Sequence, residues 1–463
     1  MMRQPADRPN IVLINCDDLG YGDLGCYGSR FNATPSVDRM AAEGMRFTDF
    51  CMASPVCSPS RAAMMTGCYP PRIGFDLFRN PAGDRTQAVL FPGDSDGLHP
   101  DEITVATLLR QQGYATRLVG KWHCGDQPEF LPTRHGFDSY FGIPFSNDMG
   151  IQAGRVDRPP LPLLEDEQVI QLQPDQTSLT ERYVEHSVRF MRAHRDQPFF
   201  LYLAHMHVHL PHYPPPRFLR ESINGPYGAA VACIDWATGA ILHELATLGL
   251  DENTLVMFTS DNGSRGDRGG SNAPLRGRKG TAWEGGMRVP CIARWPGQIP
   301  AGSTCCELAT AMDLMPTFTR LAGGGPPDDR AIDGHDIRPL LLGEPGATTP
   351  YDAFFYYRDA KLCGVRSGPF KRVVGHMAPP DGQLFNLVDD PGETIDVAAQ
   401  HPDVVRRLDA LLDQCRAELG DSLSGAQGAD RRPVGYVADP RPLAEHDPNH
   451  PYIIAMYDLP DRG

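Results

Sequence analysis

Short apolar blocks rich in β-branched residues alternate along this chain with longer stretches in which hydrophobic positions recur every three or four residues. This is the pattern of buried strands separated by helices. The block NIVLIN runs directly into Asp17 and Asp18. In ITVATLLRQQGYATRLVGKWHCG a helical half is stopped by Gly113, and the strand that follows leads to Lys121 and His123. PFFLYLAHMHVHLP is expected to be a strand delivering His205, His207 and His209 to one face, because strand side chains alternate with a period of two. NTLVMFTSDNG is expected to be another, ending at Asp261 and Asn262. The order of elements predicts an α/β fold, a sheet with helices on both faces. Ligands of open α/β sheets collect beyond the carboxyl ends of the strands, so these polar ends should meet at one edge.

Beyond about residue 350 the pattern changes. YDAFFYYRDAKLCGVRSGPFKRVV and GQLFNLVDD read as short antiparallel strands, and HPDVVRRLDALLDQCRAEL is helical. We expect a main domain over residues 1–350, a small subdomain of antiparallel sheet plus helix over 351–420, and a polar, proline-containing arm over 421–463. FDLFRNPAGDRTQAVLFPGDSDGLHP is a long irregular loop of the kind that shapes specificity. In VCSPSRAAMMTG, Ser58 is expected to cap a short helix, with Pro59 at its first position and Gly67 as its stop. Cys57 then faces the positive end of the helix dipole.

Composition narrows the classes of function. The 463 residues are 41% hydrophobic, enough for real cores, and the net charge of -15 argues against a general nucleic-acid binder while leaving room for a local basic pocket. Twelve cysteines are too sparse here for a disulfide scaffold, and no CxxC pair marks a zinc site. The opening MMRQPADRPNIVLINCDD has the pattern of neither a signal peptide nor a membrane span. A cytoplasmic protein with no membrane partner is expected, or a periplasmic or secreted one where a leader has been removed.

The candidate chemistry lies at the strand ends. Asp17–Asp18 and Asp261–Asn262 each follow a strand and precede a glycine. One such pair alone marks a turn; two of them supply carboxylate and carboxamide oxygens that suit Ca²⁺ or Mg²⁺. Lys121, His123 and Lys279 sit in glycine-flanked loops and, with Arg61, would ring a small anion. The histidine string invites a zinc site, but no carboxylate or cysteine cluster has matching spacing, and a single general acid among those histidines is the better reading. Cys57 reads two ways. A thiolate nucleophile fits a helix start near Arg61, yet a cysteine phosphatase loop needs an arginine where this chain has Ala63, and sulfur is poor company for a hard cation.

CSPSRAAMMTG resembles the CxPSR signature of the type I, formylglycine-dependent sulfatases. PNIVLINCDDLGYGDLGCYG, TPSVDRMAAEGMRFTDF, GKWHCG, TSDNG, KGTAWEGGMRVPCIARWPG and LFNLVDDPGE occur in that family's order, so the resemblance runs to about residue 415. GCYG and GIPFSND are similar to segments of arylsulfatases and N-acetylgalactosamine sulfatases. The resemblance implies an alkaline-phosphatase-like fold, a large mixed sheet flanked by helices with a smaller C-terminal subdomain. It implies a maturation partner, a formylglycine-generating or anaerobic sulfatase-maturating enzyme, that oxidises Cys57 to Cα-formylglycine. The hydrated residue 57 would join Asp17, Asp18, Asp261 and Asn262 around Ca²⁺, with Mg²⁺ as the other candidate. In the implied reaction a hydroxyl of residue 57 attacks a sulfate monoester. His209 protonates the departing alcohol, His123 takes the proton that lets sulfate leave, and Arg61 holds residue 57. Lys121, Lys279, His209 and Ser146 contact the substrate, which by analogy is a sulfated saccharide. Two other readings share these motifs: a phosphonate monoester or phosphodiester hydrolase of the same superfamily, which tends to carry histidine where this chain has Asn262, and a catalytically silent binding protein that is never matured. The oligomeric state stays open.

Overall fold

The computed structural model describes residues 8–152 and 155–446. Strands β1 (Asn10–Cys16), β2 (Met45–Cys51), β3 (Ala115–Gly120), β4 (Ser139–Gly142), β5 (Pro162–Glu165), β6 (Gln168–Leu172), β7 (Phe199–Ala204), β8 (Thr254–Ser260), β9 (Arg288–Arg294), β10 (Ser303–Cys305) and β11 (Ala309–Thr310) form one sheet. Their order is β10-β2-β9-β8-β1-β7-β3-β4-β5-β6, with β11 beside β2. The central run β8-β1-β7-β3-β4 is parallel, and β9 joins it antiparallel, so the sheet is mixed.

β1 shows why such a strand belongs at the centre. All its residues are buried, and the pleat sends them alternately to two cores. Ile11 and Leu13 pack with Phe200 and Leu255 on one face, Val12 and Ile14 with Leu201 and Val256 on the other. The first face is covered by helices α1 (Cys57–Thr66), α2 (Val105–Gln111) and α5 (Leu314–Leu321), the second mainly by α3 (Leu179–Ala193) and α4 (Gly225–Thr247). Each fully buried aliphatic side chain is worth about 1.5–3 kcal/mol, so the strand's apolar run holds the sheet's middle rigid.

A second sheet of four antiparallel strands, Phe354–Arg358, Lys361–Ser367, Phe370–Val373 and Gln383–Asn386, lies under the helix Pro402–Leu419, which packs through Leu408, Leu412, Cys415 and Leu419. Its core is continuous with Cys51, Ala53 and Ala63 of the main domain. Across this seam Arg366 grips Asp49, while Lys371 lies between Glu284 and Glu393. The chain then returns to the main domain: Gly435–Tyr436 pairs with Asp96–Gly97, and Arg432 meets Glu102. Residues 447–463 of the expected arm lie outside the described residues. All twelve cysteines are free thiols.

Two local expectations are corrected. β7 ends at Ala204 rather than running on through His209. Its partner β1 stops at Cys16, and the chain beyond is instead tied to the turn after β1, with Asp17 N donating to His207 O and Val208 N to Asp17 O. His205, His207 and His209 therefore do not share one strand face. The helix α1 starts at Cys57 itself, after Val56 in an extended conformation, so Ser58 is inside the helix and not its cap. The Ser58 hydroxyl accepts from Leu90 N instead, 3.1 Å away. Gly67, at φ 68°, is the stop that the sequence indicated.

Candidate active site

Because β8, β1, β7 and β3 are adjacent and parallel, their carboxyl ends deliver Asp261–Asn262, Asp17–Asp18, the histidine loop and Lys121–His123 to a single edge. α1 brings Cys57 there, and the loop before β9 brings Lys279. The backbone is bent to do this: Asp18 and His123 hold φ of 64° and 63°, a left-handed conformation that costs energy for any residue but glycine and concentrates at functional positions.

The side chains interlock as a buried cluster of opposite charges. Lys121 Nζ donates to Asp17 Oδ2 at 2.5 Å and to Ser146 Oγ at 2.6 Å. Lys279 Nζ lies 2.6 Å from Asp18 Oδ1 and 3.5 Å from Cys57 Sγ. Arg61 donates from Nε to Asp261 Oδ2 at 2.8 Å and from Nη1 to Lys121 O at 3.0 Å, while its Nη2 is buried without a hydrogen-bond partner. Cys57 Sγ is 3.7 Å from Asp17 Oδ1. The structure thus brings Asp17, Asp18, Cys57, Arg61, Lys121, Asp261, Asn262 and Lys279 together, with His123 and His209 beside them.

Burial and neighbouring charge set the protonation states. Burial pushes the Cys57 thiol up to about 12, against the pull of Lys121 and Lys279, so it is not a thiolate at neutral pH. Burial alone would raise Asp17 too, but Lys121, His209, Arg61 and Lys279 hold it well below the usual carboxylate range. Asp261 is raised to about 6 by burial and by Asp17. His123 is driven well below its ordinary value by burial and by Lys121. It is a neutral ring whose Nε2 lies 3.0 Å from Leu90 O, which assigns the proton to Nε2 and leaves the buried Nδ1 as a free acceptor. His209 has Nδ1 2.6 Å from Leu210 O, so Nε2 is the atom turned toward Asp18, at 3.8 Å. His205 and His207 are buried, and neither ring has a hydrogen-bond partner, so neither adds a contact to the cluster.

The donor set fits a hard divalent cation. Asp17, Asp18, Cys57 and His209 each offer a ligand atom within 4.8 Å of the others. Asp261 Oδ1 accepts from Asp18 N, and Asn262 Nδ2 donates to Asp18 Oδ1, which leaves Asn262 Oδ1 buried and without a hydrogen-bond partner. A buried carboxamide oxygen with no donor, next to carboxylates, is what a cation would satisfy. The one soft donor is Cys57.

Sequence reasoning missed two neighbours and placed a third, Ser146, on the substrate alone. Asp148 Oδ1 stands 3.9 Å from His209 Nδ1, two positions beyond Ser146 in a segment already singled out. Leu90 O fixes the His123 tautomer from within the long loop, and as a backbone group it had no signature. Ser146, expected on the substrate, lies against Lys121.

Residues 9–324 match the family model described as Sulfatase, and residues 278–418 the one described as N-sulphoglucosamine sulphohydrolase, C-terminal. N-acetylgalactosamine-6-sulfatase of Canis lupus familiaris is 43% identical, over 89% of this chain and 86% of that protein. Arylsulfatase A of Homo sapiens is 39% identical over 88% and 87% respectively. The crystal structure of Ps i-CgsB in complex with k-i-k-neocarrahexaose superposes with a TM-score of 0.77 at 29% identity, covering 88% of this chain and 92% of that one.

Proposed function

The chain belongs to the sulfatase family, and from that premise we propose that it removes sulfate from a saccharide sulfate ester, using Cα-formylglycine made from Cys57 and a calcium ion. Hydrolysis of sulfuric esters on an alkaline-phosphatase-like fold is common to this family, as are formylglycine and a divalent metal. The observation that carries the reading is Cys57: a thiol held protonated at the first turn of a helix, inside a set of oxygen donors. Maturation by a formylglycine-generating or anaerobic enzyme replaces that sulfur by oxygen and supplies a nucleophile able to release sulfate by collapsing to the aldehyde.

Asp17, Asp18, Asp261 and Asn262 would hold the ion through oxygen. A site of several carboxylates and a carboxamide favours Ca²⁺ over the stricter octahedral demand of Mg²⁺. Once bound, the ion adds positive charge that polarises the sulfate oxygens and acidifies the hydroxyl of residue 57. Lys121 and Lys279 hold the sulfate oxygens in the same buried cluster, where charge is worth more than in water. Arg61 is fixed by Asp261, and its Nη2, which makes no hydrogen bond and lies 3.8 Å from Asp17 Oδ2, is the donor left over for residue 57. His209 would act as the acid in its doubly protonated form, a charge that Asp17 and Asp18 favour against burial: Nδ1–H stays on Leu210 O, and Nε2–H passes to the departing alcohol and leaves a neutral ring. His123, with Nε2 on Leu90 O, takes a proton at Nδ1 in the second half of the reaction. A saccharide substrate is supported by the names of two similar proteins, an N-acetylgalactosamine-6-sulfatase and a structure holding k-i-k-neocarrahexaose.

The test is co-expression with a maturing enzyme, mass spectrometry of the peptide containing residue 57, and turnover of 4-nitrophenyl sulfate, an aryl phosphonate, a phosphodiester and defined sulfated saccharides. Formylglycine at residue 57 with sulfate esters as the preferred substrates is expected. An active enzyme with an intact Cys57 thiol, or a preference for the phosphonate, overturns the reading.

A further inference from the structure

A narrow cleft opens directly beside the sulfate cradle, lined by Asp18, Leu210, His212, Tyr227, Arg265 and Arg268. Asp18 is its shared wall with the catalytic cluster, and the same histidine loop that carries His209 supplies Leu210 and His212. The cleft holds only about 10 Å³, room for a single water, so a departing alcohol protonated by His209 would meet it at its mouth rather than inside it. None of its lining residues has a role in the proposed reaction except Asp18.

The loop that brings the arginines is built to hold a shape. At its base Ser264 O accepts from Lys279 N at 3.0 Å and from Asn272 Nδ2 at 2.8 Å, and Ser264 N donates to Asn272 Oδ1 at 2.8 Å. At its far end Gly269 O accepts from Asn224 Nδ2 at 2.9 Å. Gly266 and Gly269 take φ of 73° and 105°, which suit glycine and set the path between these anchors. The arginines are thus tied through the backbone to the segment that positions Lys279. Arg265 is paired at 3.0 Å with its neighbour Asp267 in an exposed bridge of little net energy. Arg268 makes no hydrogen bond or ion pair among the described residues and stands close enough to influence His212. His212, whose Nε2 lies 3.1 Å from Val208 O, is pushed down to about 4 by burial and adds no charge at neutral pH. The cationic groups of the cleft are therefore the two arginines, set against Asp18 in its wall and Asp267 on Arg265, and Arg268 is the one of the two without an ion pair among the described residues. In a chain of net charge -15, cationic groups at the mouth of an anion-binding site counter the repulsion of an anionic substrate.

We infer that Arg265 and Arg268 form a subsite for a second anionic group on the leaving saccharide, a carboxylate or another sulfate, next to the ester that is cleaved. This rests on the sulfatase reading above and adds the class of substrate: a polyanionic saccharide rather than one with a single sulfate. Guanidinium groups recognise both anions by the same forked hydrogen bonding.

The experiment compares wild type, Arg268→Ala, Arg268→Lys and Arg265→Ala/Arg268→Ala on four substrates. These are 4-nitrophenyl sulfate, a monosulfated neutral disaccharide, a monosulfated disaccharide containing a uronate, and a disulfated disaccharide. In the double variant kcat/KM on the doubly anionic saccharides should fall about tenfold or more relative to the two singly charged substrates, the size of a lost charge-assisted contact. The loss should appear mainly in KM, be partly restored by lysine, and shrink in wild type as salt rises. The uronate and disulfated arms tell which anion the subsite prefers. Equal losses on all four substrates would make the loop a support for Lys279 and overturn the subsite; no loss on any would overturn it too. Failure of wild type to hydrolyse 4-nitrophenyl sulfate after confirmed maturation would strike the sulfatase reading instead.

Discussion

Two buried clusters of this protein carry nearly the same charges and do different things. At the sheet edge Asp17, Asp18 and Asp261 face Arg61, Lys121 and Lys279. At the seam between the two sheets Asp49, Glu284 and Glu393 face Arg288, Arg366 and Lys371. Both even contain a group that could close on a metal, four side chains at the edge and three, Asp49, Cys51 and Glu284, at the seam. The difference is in how the oxygens are occupied. Arg366 takes both oxygens of Asp49 in a fork at 2.8 and 2.6 Å, and Lys371 Nζ spends itself on Glu284, Glu393 and Ala282 O at 2.8–3.0 Å. Tyr356 adds its hydroxyl to Glu284 at 2.7 Å. Even the two seam oxygens without a hydrogen-bond partner, Glu284 Oε2 and Glu393 Oε1, face a cation, Arg288 at 3.7 Å and Lys371 at 2.8 Å. The edge is held by two lysines and by Arg61, whose Nη2 lies 3.8 Å from Asp17 Oδ2 without a hydrogen bond; it keeps a buried carboxamide oxygen, Asn262 Oδ1, with no donor, and it presents residue 57. Equal charge therefore makes a clamp in one place and a reaction centre in the other.

The largest effect should come from Asp17→Asn. It removes a charge shared by three cations, and kcat/KM on an aryl sulfate should fall about 10³-fold, with metal per chain by atomic emission dropping below one. Lys371→Met is the counterpart at the seam. Leaving Glu284 and Glu393 buried without their cation should cost about 3–5 kcal/mol in urea unfolding, while the folded fraction keeps its metal and its aryl sulfate turnover. Loss of metal on Lys371→Met, or full activity of Asp17→Asn, would erase the distinction between the clusters.

A smaller effect separates them by pH. Burial opposes ionisation of Glu284, but Lys371, Arg288 and Arg366 prevail and hold it at about 2, below the 4.5 of a free glutamate. A depressed carboxyl stabilises the fold fully above pH 4.5 and loses that contribution as pH falls through about 2. Glu284→Gln should therefore flatten the decline of urea midpoint between those limits; an unchanged slope would remove Glu284 from the clamp.

The edge was legible in the sequence and the seam was not, for a physical reason. Apolar runs that end abruptly in Asp17–Asp18 or Asp261–Asn262 announce buried strands whose ends must be polar for some purpose, and parallel pairing gathers them. Lys371, Glu284 and Glu393 are separate charged residues in ordinary-looking segments, and only the docking of the small sheet shows that they are buried. The errors at the edge have the same origin. His209 reached the site through a turn tied to Asp17 and not through strand alternation, and Ser58 found Leu90 instead of its own helix. Long-range backbone partners such as Leu90 O leave no periodic trace.

The finest comparison uses one hydroxyl on each cluster. Ser146 Oγ accepts from Lys121 Nζ, and Tyr356 Oη donates to Glu284 Oε1. Each removes a hydrogen bond to a buried charge when truncated, and each should cost about 1–3 kcal/mol where that bond matters. For Tyr356→Phe the cost should appear in the urea midpoint with kcat/KM retained, because Glu284 only ties the seam. For Ser146→Ala it should appear in kcat/KM, by roughly fivefold or more, because Lys121 would be less firmly aimed at sulfate while Asp17 still holds it in the fold. The sulfate analogue vanadate gives an independent readout, since its inhibition should weaken in Ser146→Ala and not in Tyr356→Phe. If both variants lose only stability, Ser146 belongs with the clamp, and the boundary between the two kinds of cluster lies closer to residue 57 than drawn above.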